Sequence, residues 1–262
     1  MLFDRFTLIA GPCVLEDDDL NLRVADELAG LSSRLGLPVI FKASFDKANR
    51  SKMQSPRGPG LEEGLKALER VGRESGLPLL TDVHEPAQAL AVAEVVDVLQ
   101  VPAFLCRQTD LVVAAGSTGR AVNVKKGQWM APEEMAAVVA KAREGGAVEV
   151  AVTERGIFFG YGDLVVDMRS FLRVREATEV SVIFDGTHSV QRPGRAEGSS
   201  GGNPEFIRPL VRGAVAAGCD SLFLEVHPEP SRAPSDATNM LPLDHLEPLL
   251  REVQAIREAI AG

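Results

Sequence analysis

A short basic segment, residues 41–51, contains the side chains that indicate chemistry most directly. It follows the apolar residues 38–40, and its polar members are Lys42, Ser44, Asp46, Lys47, Asn49, Arg50 and Ser51. Lysine and arginine bind phosphate and carboxylate groups through charge-assisted hydrogen bonds. We therefore expect this segment to form the floor of a site for an anionic ligand.

Further cations follow other predicted strands, and a closed barrel would bring them close to the basic segment. The whole group consists of Lys42, Lys47, Lys125 and Arg155. No matching acids accompany these cations, which favours the binding of a small polyanion. Two alternatives remain open. The cations could be ordinary loop residues paired with Asp46 or Glu154, or Lys42 could be the nucleophile of a Schiff-base aldolase.

A second set of side chains indicates a metal site: Cys13, His188, Glu225 and Asp236. Their spacing matches no metal motif, but the first, seventh and eighth strands of a barrel are neighbours. A thiolate, an imidazole and two carboxylates suit a divalent ion such as Zn²⁺, Fe²⁺ or Mn²⁺. Taken alone, Cys13 fits a buried small hydrophobic residue, and His188 fits a loop histidine bonded to backbone. Glu225 gives the stronger signal, because a carboxylate after residues 222–224 would enter an apolar interior without a partner.

Other polar residues have competing interpretations. Asp82 and His84 either face the site or cap the helix that begins at Pro86. Residues 198–202 are rich in glycine and serine and could cradle phosphate. They lack the Gly-Lys-Ser/Thr that follows in a phosphate-binding loop, which favours a flexible loop.

The elements that position these residues alternate regularly along the chain. Apolar runs predict strands at 7–10, 38–42, 78–82, 98–101, 121–124, 148–153, 180–184 and 221–225. Apolar residues at helical spacing predict helices at 20–35, 61–75, 87–96, 108–115, 132–144, 168–174, 204–217 and 244–260. Strict alternation implies a parallel sheet. Eight such units predict an α/β fold, a TIM (β/α)8 barrel that forms a single domain over residues 1–262. A doubly wound open sheet is the alternative, but its ligand would lie at one switch point, whereas polar residues follow nearly every strand here.

Two predicted connections are longer than a barrel requires. Residues 185–203 follow the seventh strand and contain five glycines, and residues 226–242 follow the eighth and contain four prolines. Long loops in compact domains are commonly lids or binding loops. Both leave the carboxyl ends of strands, where barrel enzymes keep their active sites, so we expect both to border the site.

The composition argues against several classes of function. A net charge of −9, with one Trp and one Tyr, disfavours binding to nucleic acid or to an anionic membrane. No apolar run approaches the length of a membrane span, and residues 1–6 are too short and too charged for a signal peptide. The three cysteines, Cys13, Cys106 and Cys219, are odd in number and far apart. We therefore expect no disulfide framework and a cytoplasmic location.

Several segments distributed along nearly the whole chain form a specific pattern in combination. They are residues 11–13, 42–51, 81–85, 101–109, 123–128, 153–156, 184–189 and 225–228. Together they resemble the signature of 3-deoxy-D-manno-octulosonate 8-phosphate synthase, also called 2-dehydro-3-deoxyphosphooctonate aldolase. The resemblance implies a TIM barrel, usually a homotetramer, that condenses phosphoenolpyruvate with D-arabinose 5-phosphate and water. The products would be 3-deoxy-D-manno-octulosonate 8-phosphate, a lipopolysaccharide precursor, and inorganic phosphate.

The resemblance also implies roles for individual residues. Phosphoenolpyruvate would be held by Lys42, Lys47, Gln100, the Ala103 backbone, Lys125 and Arg155. Arabinose 5-phosphate would be held by Asn49, Arg50, Ser51 and Asp82. The metal ligands would be Cys13, His188, Glu225 and Asp236, and the first, second and fourth of these are also assigned to catalysis. Members of the family that bind a metal carry cysteine at the position of Cys13, so the resemblance implies a metal-dependent enzyme.

Two other functions remain open. The related 3-deoxy-D-arabino-heptulosonate 7-phosphate synthase shares the barrel, phosphoenolpyruvate and a similar metal set, but it typically has Lys-Pro-Arg-Thr in place of residues 47–51. A non-catalytic barrel that binds a phosphorylated ligand would keep the basic segment without needing the metal set. Lys52 departs from the family pattern, which has a small residue there. Whether the metal polarises the aldehyde, activates water or only positions the substrates is also open.

Overall fold

The computed structural model describes residues 1–50, 53–192 and 201–261. Parallel strands form a closed barrel: β1 (Leu8–Gly11), β2 (Val39–Lys42), β3 (Leu79–Asp82), β4 (Val98–Val101), β5 (Ala121–Lys125), β6 (Glu149–Glu154), β7 (Ser181–Asp185) and β8 (Ser221–His227). Each strand pairs with the next one in the chain, and β8 pairs with β1. In that closure Leu8 lies opposite Val39 on one side and Leu222 on the other. The TIM barrel is confirmed, and the alternative of an open sheet is wrong.

Helices surround the barrel, one after each strand: α1 (Asp18–Leu35), α2 (Leu61–Ser75), α3 (Ala89–Val95), α4 (Thr109–Ser117), α5 (Met135–Gly145), α6 (Ser170–Thr178), α7 (Ile207–Ala216) and α8 (Leu246–Ala261). The helices α3, α5, α6, α7 and α8 begin two or three residues later than the sequence predicts. Short 3₁₀ turns that begin at proline precede three of them, α3, α5 and α7, at Pro86–Gln88, Pro132–Glu134 and Pro204–Phe206. Proline fixes φ and has no N–H, so it suits the first turn of such a segment.

The ends of α1 and α2 follow one local pattern. Gly36 and Gly76 end these helices with left-handed backbone, at φ 59° and 69°. Pro38 and Pro78 come two residues later, just before β2 and β3. Proline has no N–H to donate to a strand ladder, and both strands accordingly begin one residue after the predicted start.

An apolar layer and a polar layer lie one above the other inside the barrel. The apolar layer consists of Ile9, Ile40, Leu80, Val98, Ala121, Ala151, Ile183 and Phe223, with Phe3 packed against it. Two residues further along these strands come the buried side chains of Lys42, Asp82, Gln100, Asn123, Thr153, Asp185 and Glu225. Side chains two positions apart on a strand point to the same face. Seven of these eight apolar runs therefore end in a polar side chain that points into the barrel, and β1 has Gly11 at that position.

Residues 2 and 3 cover the amino end of the barrel. Leu2 N and Phe3 N donate to the Glu149 carboxylate at 2.7 and 3.0 Å, and the Phe3 ring packs against the apolar layer. A ligand therefore reaches the polar layer from the carboxyl ends of the strands.

The two long loops contain short paired segments. Gln191–Arg192 pairs antiparallel with Gly201–Gly202, and Leu241–Pro242 pairs with the end of β8. Of the expected flexible loop over 198–202, Gly201 and Gly202 lie in the first pair, and residues 198–200 lie outside the described residues. Among the helices described, none has both the length and the apolar character needed to span a membrane.

Candidate active site

The polar layer opens into a cavity of about 490 Å³ at the carboxyl ends of the strands. Its lining includes most residues assigned from the sequence: Lys42, Lys47, Asn49, Arg50, Asp82, Gln100, Ala103, Lys125, Arg155, His188, Glu225 and Asp236. Cys13 joins them through its sulfur, which lies 3.2 Å from Asp236 Oδ2. Ser51 and Lys52 lie outside the described residues. The barrel thus brings together residues as far apart in the chain as Cys13 and Asp236.

Lys42 is tightly paired inside the barrel. Its ammonium nitrogen lies 2.6 Å from Glu225 Oε1 and donates to the Cys13 carbonyl at 2.9 Å. Burial alone would raise the pKa of Glu225, but Lys42, His188 and Lys47 together hold it well below its ordinary value. An ammonium held by a carboxylate has no free lone pair, so this geometry disfavours the Schiff-base alternative for Lys42.

Two expectations about charge pairing are wrong. The cations of the site do have matching acids, since Lys42 pairs with Glu225 and Lys125 pairs with Asp185. By the same contacts, Glu225 is not a carboxylate without a partner. The partners come from β2 and β8, and from β5 and β7, so their meeting depends on barrel closure rather than on any local pattern.

The alternative pairing of the site cations with Asp46 or Glu154 is also wrong for the described ion pairs. Asp46 pairs with Arg57 near the surface. Glu154 is buried behind the cavity, 3.3 Å from Lys126 Nζ, and accepts a hydrogen bond from Ser170 Oγ at 2.9 Å. Among the described ion pairs, neither Asp46 nor Glu154 therefore pairs with Lys42, Lys47, Lys125 or Arg155.

Lys125 lies at the floor of the cavity. Its ammonium pairs with Asp185 and lies 3.3 Å from the centre of the Phe223 ring, a cation–π contact. Burial lowers the pKa of Lys125 to about 8, against the opposing effect of Asp185. Burial would raise the pKa of Asp185, but His188 and Lys125 hold it well below its ordinary value. Lys125 is thus a buried cation at neutral pH, and an anionic ligand would stabilise its charge.

Arg155 has a donor that the described residues do not use. Its Nη2 donates to Gln191 Oε1 at 2.5 Å and to the His188 carbonyl at 2.9 Å. Its Nε is buried and has no hydrogen-bond partner among the described residues. Burial lowers the pKa of Arg155, yet a guanidinium stays protonated in proteins. A buried donor without a partner is costly, so Arg155 fits the binding of an anion.

A chain of hydrogen bonds crosses the barrel beneath the cavity and ends on Asp82. Its links are Thr153 to Asn123 at 2.7 Å, Asn123 to Gln100 at 2.9 Å, Gln100 to Asp82 at 2.5 Å, Ser44 to Asp82 at 2.5 Å and Lys47 to Ser44 at 3.0 Å. Every donor is directed toward the one carboxylate, which fixes the orientation of the Gln100 and Asn123 amides. Burial would raise the pKa of Asp82, but Lys42 and Lys47 hold it below its ordinary value.

Sequence reasoning gave no role to Asn123, Thr153 or Gln191. For the first two a signal existed, because each lies two residues after an inward apolar residue of its strand. Gln191 follows β7 in a long loop, and its contacts with Arg155 and Asp236 have no local signal.

Asp82 and His84 face the cavity, so the alternative that they cap the following helix is wrong. Glu85 is the capping residue of the turn Pro86–Gln88. The Gln88 side chain accepts hydrogen bonds from His84 N and Glu85 N at 2.8 and 3.2 Å.

Three of the four expected metal ligands converge. The Cys13 sulfur and carboxylate oxygens of Glu225 and Asp236 all lie within 4.8 Å of one another. His188 is outside this group, although its Nε2 lies 3.6 Å from Glu225 Oε1. Burial, together with the charge of Glu225, raises the pKa of the Cys13 thiol well above its ordinary value. A divalent cation would stabilise the thiolate and both carboxylates together, so this donor set fits a metal ion.

Asp236 reaches this group from an unusual backbone conformation. Its φ of 49° is in the left-handed region, which aspartate tolerates better than most residues with a side chain. Its Oδ2 accepts from Cys13 Sγ and its Oδ1 from Gln191 Nε2, each at 3.2 Å. Backbone strain of this kind is found most often at functional sites, where surrounding contacts maintain it.

The outer part of the basic segment lies at the rim of the cavity. Asn49 is exposed and Arg50 is half-buried. Arg50 donates to the Pro56 carbonyl at 2.8 and 2.6 Å and to the Pro234 carbonyl at 3.3 Å. The segment therefore extends from the buried floor at Lys42 to the rim at Arg50, where it joins the loops after β2 and β8.

Comparison with known proteins gives the family of this chain. Residues 3–261 match the DAHP synthetase I family, and the chain belongs to that family. Relatives from Synechococcus sp., Magnetococcus marinus and Acidithiobacillus ferrooxidans are 55%, 53% and 54% identical over 255, 259 and 255 residues. The matches cover 97% of this chain and 89%, 90% and 90% of the relatives. All three relatives are named 2-dehydro-3-deoxyphosphooctonate aldolase, which confirms the resemblance that the motifs indicate.

Proposed function

We propose that this chain condenses phosphoenolpyruvate with D-arabinose 5-phosphate and water. The products are 3-deoxy-D-manno-octulosonate 8-phosphate, for lipopolysaccharide biosynthesis, and inorganic phosphate. The observation that carries the proposal is a single cavity in which the cations Lys125 and Arg155 lie beside the group formed by Cys13, Glu225 and Asp236. Relatives that are 52–55% identical carry the name of this activity.

Phosphoenolpyruvate would occupy the inner part of the cavity. Lys125, Lys47 and the unused Arg155 Nε are the donors for its phosphate and carboxylate. Gln100, whose amide orientation is fixed by Asp82, and the Ala103 backbone would contribute further hydrogen bonds. Lys42, which is paired with Glu225, would contribute positive charge close to the bound phosphoenolpyruvate. Charge-assisted hydrogen bonds of this kind are stronger than neutral ones.

Arabinose 5-phosphate would bind with its phosphate toward the rim. Asn49 and Arg50 are the described residues at that position, and Ser51 is assigned to the same phosphate. Asp82 lines the cavity further in and would accept a hydrogen bond from a sugar hydroxyl. The aldehyde would then point inward, toward C3 of the enol.

The reaction forms one C–C bond and one C–O bond, and it breaks the C–O bond to phosphate. C3 of phosphoenolpyruvate attacks the aldehyde carbon, and the aldehyde oxygen becomes a hydroxyl. Water gives a proton to that oxygen and its hydroxide to C2. The bond between C2 and the phosphate oxygen then breaks, the new C2 hydroxyl becomes the ketone, and its proton leaves with the phosphate. The cations hold two anions within reach of each other and stabilise the charge that develops on the phosphate.

A divalent ion such as Zn²⁺, Fe²⁺ or Mn²⁺ would be held by Cys13, Glu225 and Asp236, with His188 Nε2 as the fourth donor. When bound, it would supply Lewis-acid chemistry at the aldehyde or at water. We assign Cys13, His188 and Asp236 to catalysis because they would hold this ion beside the reacting carbons. By resemblance to the family, we also propose a cytoplasmic homotetramer that needs neither nucleic acid nor a membrane.

The test is release of phosphate from phosphoenolpyruvate by the purified protein. We expect release when arabinose 5-phosphate is present and none without an aldose phosphate. Faster turnover with erythrose 4-phosphate would assign the chain to 3-deoxy-D-arabino-heptulosonate 7-phosphate synthase, since the matched family carries that enzyme's name. No turnover with either sugar would favour a non-catalytic barrel.

A further inference from the structure

Both carboxylate oxygens of Asp185 have several partners. Oδ1 accepts from Thr187 N at 3.1 Å, from Thr187 Oγ1 at 3.1 Å and from His188 N at 2.8 Å. Oδ2 pairs with the Lys125 ammonium and lies 2.8 Å from His188 Nδ1. The side chain is 0% exposed, so water cannot replace any of these contacts.

The two oxygens have different roles. Oδ1 holds the turn that follows β7. Oδ2 is shared between Lys125, which we assign to phosphoenolpyruvate, and His188, which we assign to the metal. When Nδ1 of the neutral imidazole carries the proton, the lone pair that can bind a metal is on Nε2. Nε2 lies 3.6 Å from Glu225 Oε1. Oδ2 therefore lies close enough to accept from a proton on Nδ1 while Nε2 binds a metal, and it also competes with any anion for the Lys125 ammonium.

We propose that Asp185 is a positioning residue that couples the metal site to the phosphoenolpyruvate site through its shared Oδ2. The inference rests on the proposed function. A cation at His188 Nε2 makes Nδ1–H a stronger donor, so Oδ2 bonds more strongly to His188 and less strongly to Lys125. The ammonium then becomes more available to the substrate. Metal and phosphoenolpyruvate therefore bind with positive coupling, which must be equal in both directions.

The variant Asp185→Asn separates the two roles of this side chain. An amide oxygen can still accept from Thr187 N and His188 N, so the turn after β7 is retained. The amide NH₂ group cannot accept from Lys125 or from His188 Nδ1. The substitution therefore removes the shared acceptor without removing the side chain that fills this buried position.

The experiment measures two dissociation constants by calorimetry: that of Zn²⁺ for the chelator-stripped full-length protein, and that of phosphoenolpyruvate with and without Zn²⁺. In the parent protein we expect Zn²⁺ to tighten phosphoenolpyruvate binding by about fivefold or more. In Asp185→Asn we expect Zn²⁺ affinity to fall by about 10- to 100-fold. We also expect the effect of Zn²⁺ on phosphoenolpyruvate binding to disappear.

Asp220→Asn is the matched control. Asp220 lies just before β8, at the opposite end of the barrel, where it pairs with Arg175 at 2.9 Å and accepts from Val182 N at 2.8 Å. Asp220→Asn should lower the free energy of unfolding but leave both dissociation constants and their coupling unchanged. This separates positioning of the site from a general effect on the fold.

Parent-like Zn²⁺ affinity in Asp185→Asn would overturn the proposal, and so would parent-like coupling between Zn²⁺ and phosphoenolpyruvate in this variant. Absence of coupling in a parent protein that releases phosphate would overturn this inference and leave the proposed function standing. Coupling in a parent that shows no turnover would overturn the proposed function instead.

Discussion

Lys42 Nζ lies 2.6 Å from Glu225 Oε1, and the two side chains are only 2% and 1% exposed. The pair joins β2 to β8 and connects the cationic part of the cavity with the candidate metal ligands. Glu225 is therefore both a proposed metal ligand and the counter-ion of a buried lysine. A buried charge that loses its partner is strongly destabilising, so the site and the stability of the barrel depend on the same contact.

Neutralising only one member of this pair should lower the free energy of unfolding strongly, because the other charge stays buried without its partner. We expect Lys42→Met or Glu225→Gln alone to lower the free energy of unfolding by about 3–5 kcal/mol. The double variant should lose clearly less than the sum of the single losses, because no unpaired charge stays buried. Urea denaturation measures these values. Lys66→Met, which removes an exposed pair on α2, is the control and should change little. Additive losses would contradict the coupling.

Affinity for phosphoenolpyruvate should fall as pH rises above about 8. The pKa of Lys125 is lowered to about 8, so above that pH the amine loses its proton and its positive charge. The ammonium fraction falls about tenfold for each further pH unit, and KM for phosphoenolpyruvate should rise while kcat changes less. Steady-state kinetics between about pH 6.5 and pH 9.5 test this expectation. In Lys125→Arg the guanidinium stays charged, so the alkaline rise in KM should disappear. A rise that persists in this variant would assign the titration to another group.

The buried carboxylates should make the fold sensitive to acid. The pKa values of Asp82, Asp185 and Glu225 are all held below their ordinary values by neighbouring cations, against the effect of burial. Their stabilising contribution is complete above the unfolded pKa of about 4, and it is lost as pH falls toward the folded pKa. We expect the urea midpoint to drop steeply below about pH 5. Asp82→Asn should be less stable at pH 7 but show a shallower decline in acid, and equal slopes would contradict this account.

Removing the metal should abolish turnover reversibly. The Cys13, Glu225 and Asp236 donors converge on one point, so we expect a chelator to stop phosphate release and a divalent ion to restore it. Cys13→Ala should lose bound metal, as measured by elemental analysis of the purified protein. Cys219→Ala is the matched control. Cys219 is also buried, and burial raises its pKa to about 12, but it lies just before β8, at the opposite end of the barrel. Full activity in chelator with no bound metal would remove the metal from the mechanism.

The sequence was sufficient to predict the barrel and most of the cavity lining, and the reason is local. Alternation along each strand places an inward polar residue two positions after an inward apolar one, as in Ile40 and Lys42 or Phe223 and Glu225. Apolar runs also located β4 at the same residues that the structure gives. Part of the error in the helix starts comes from 3₁₀ turns that begin at proline, because periodicity does not distinguish such a turn from the helix that follows.

Partners across the barrel could not be predicted in the same way. Whether Lys42 meets Glu225, or Lys125 meets Asp185, depends on the register of strands that are far apart in the chain. The left-handed backbone of Asp236 is set by the loop around it, and a non-glycine residue gives no signal for that conformation. The sequence therefore indicated which residues line the cavity, and the structure was needed to show which of them are already paired.

Phe223 belongs to the apolar layer of the barrel, and the Lys125 ammonium lies over its ring. In the described part of the structure the space below this ring is filled by side chains, so a molecule reaches Lys125 from the side of the cavity where Asn49 and Arg50 also lie. A sugar phosphate held at the rim would obstruct that route. Under the proposed function we therefore expect an ordered reaction, in which phosphoenolpyruvate enters the cavity before the sugar phosphate.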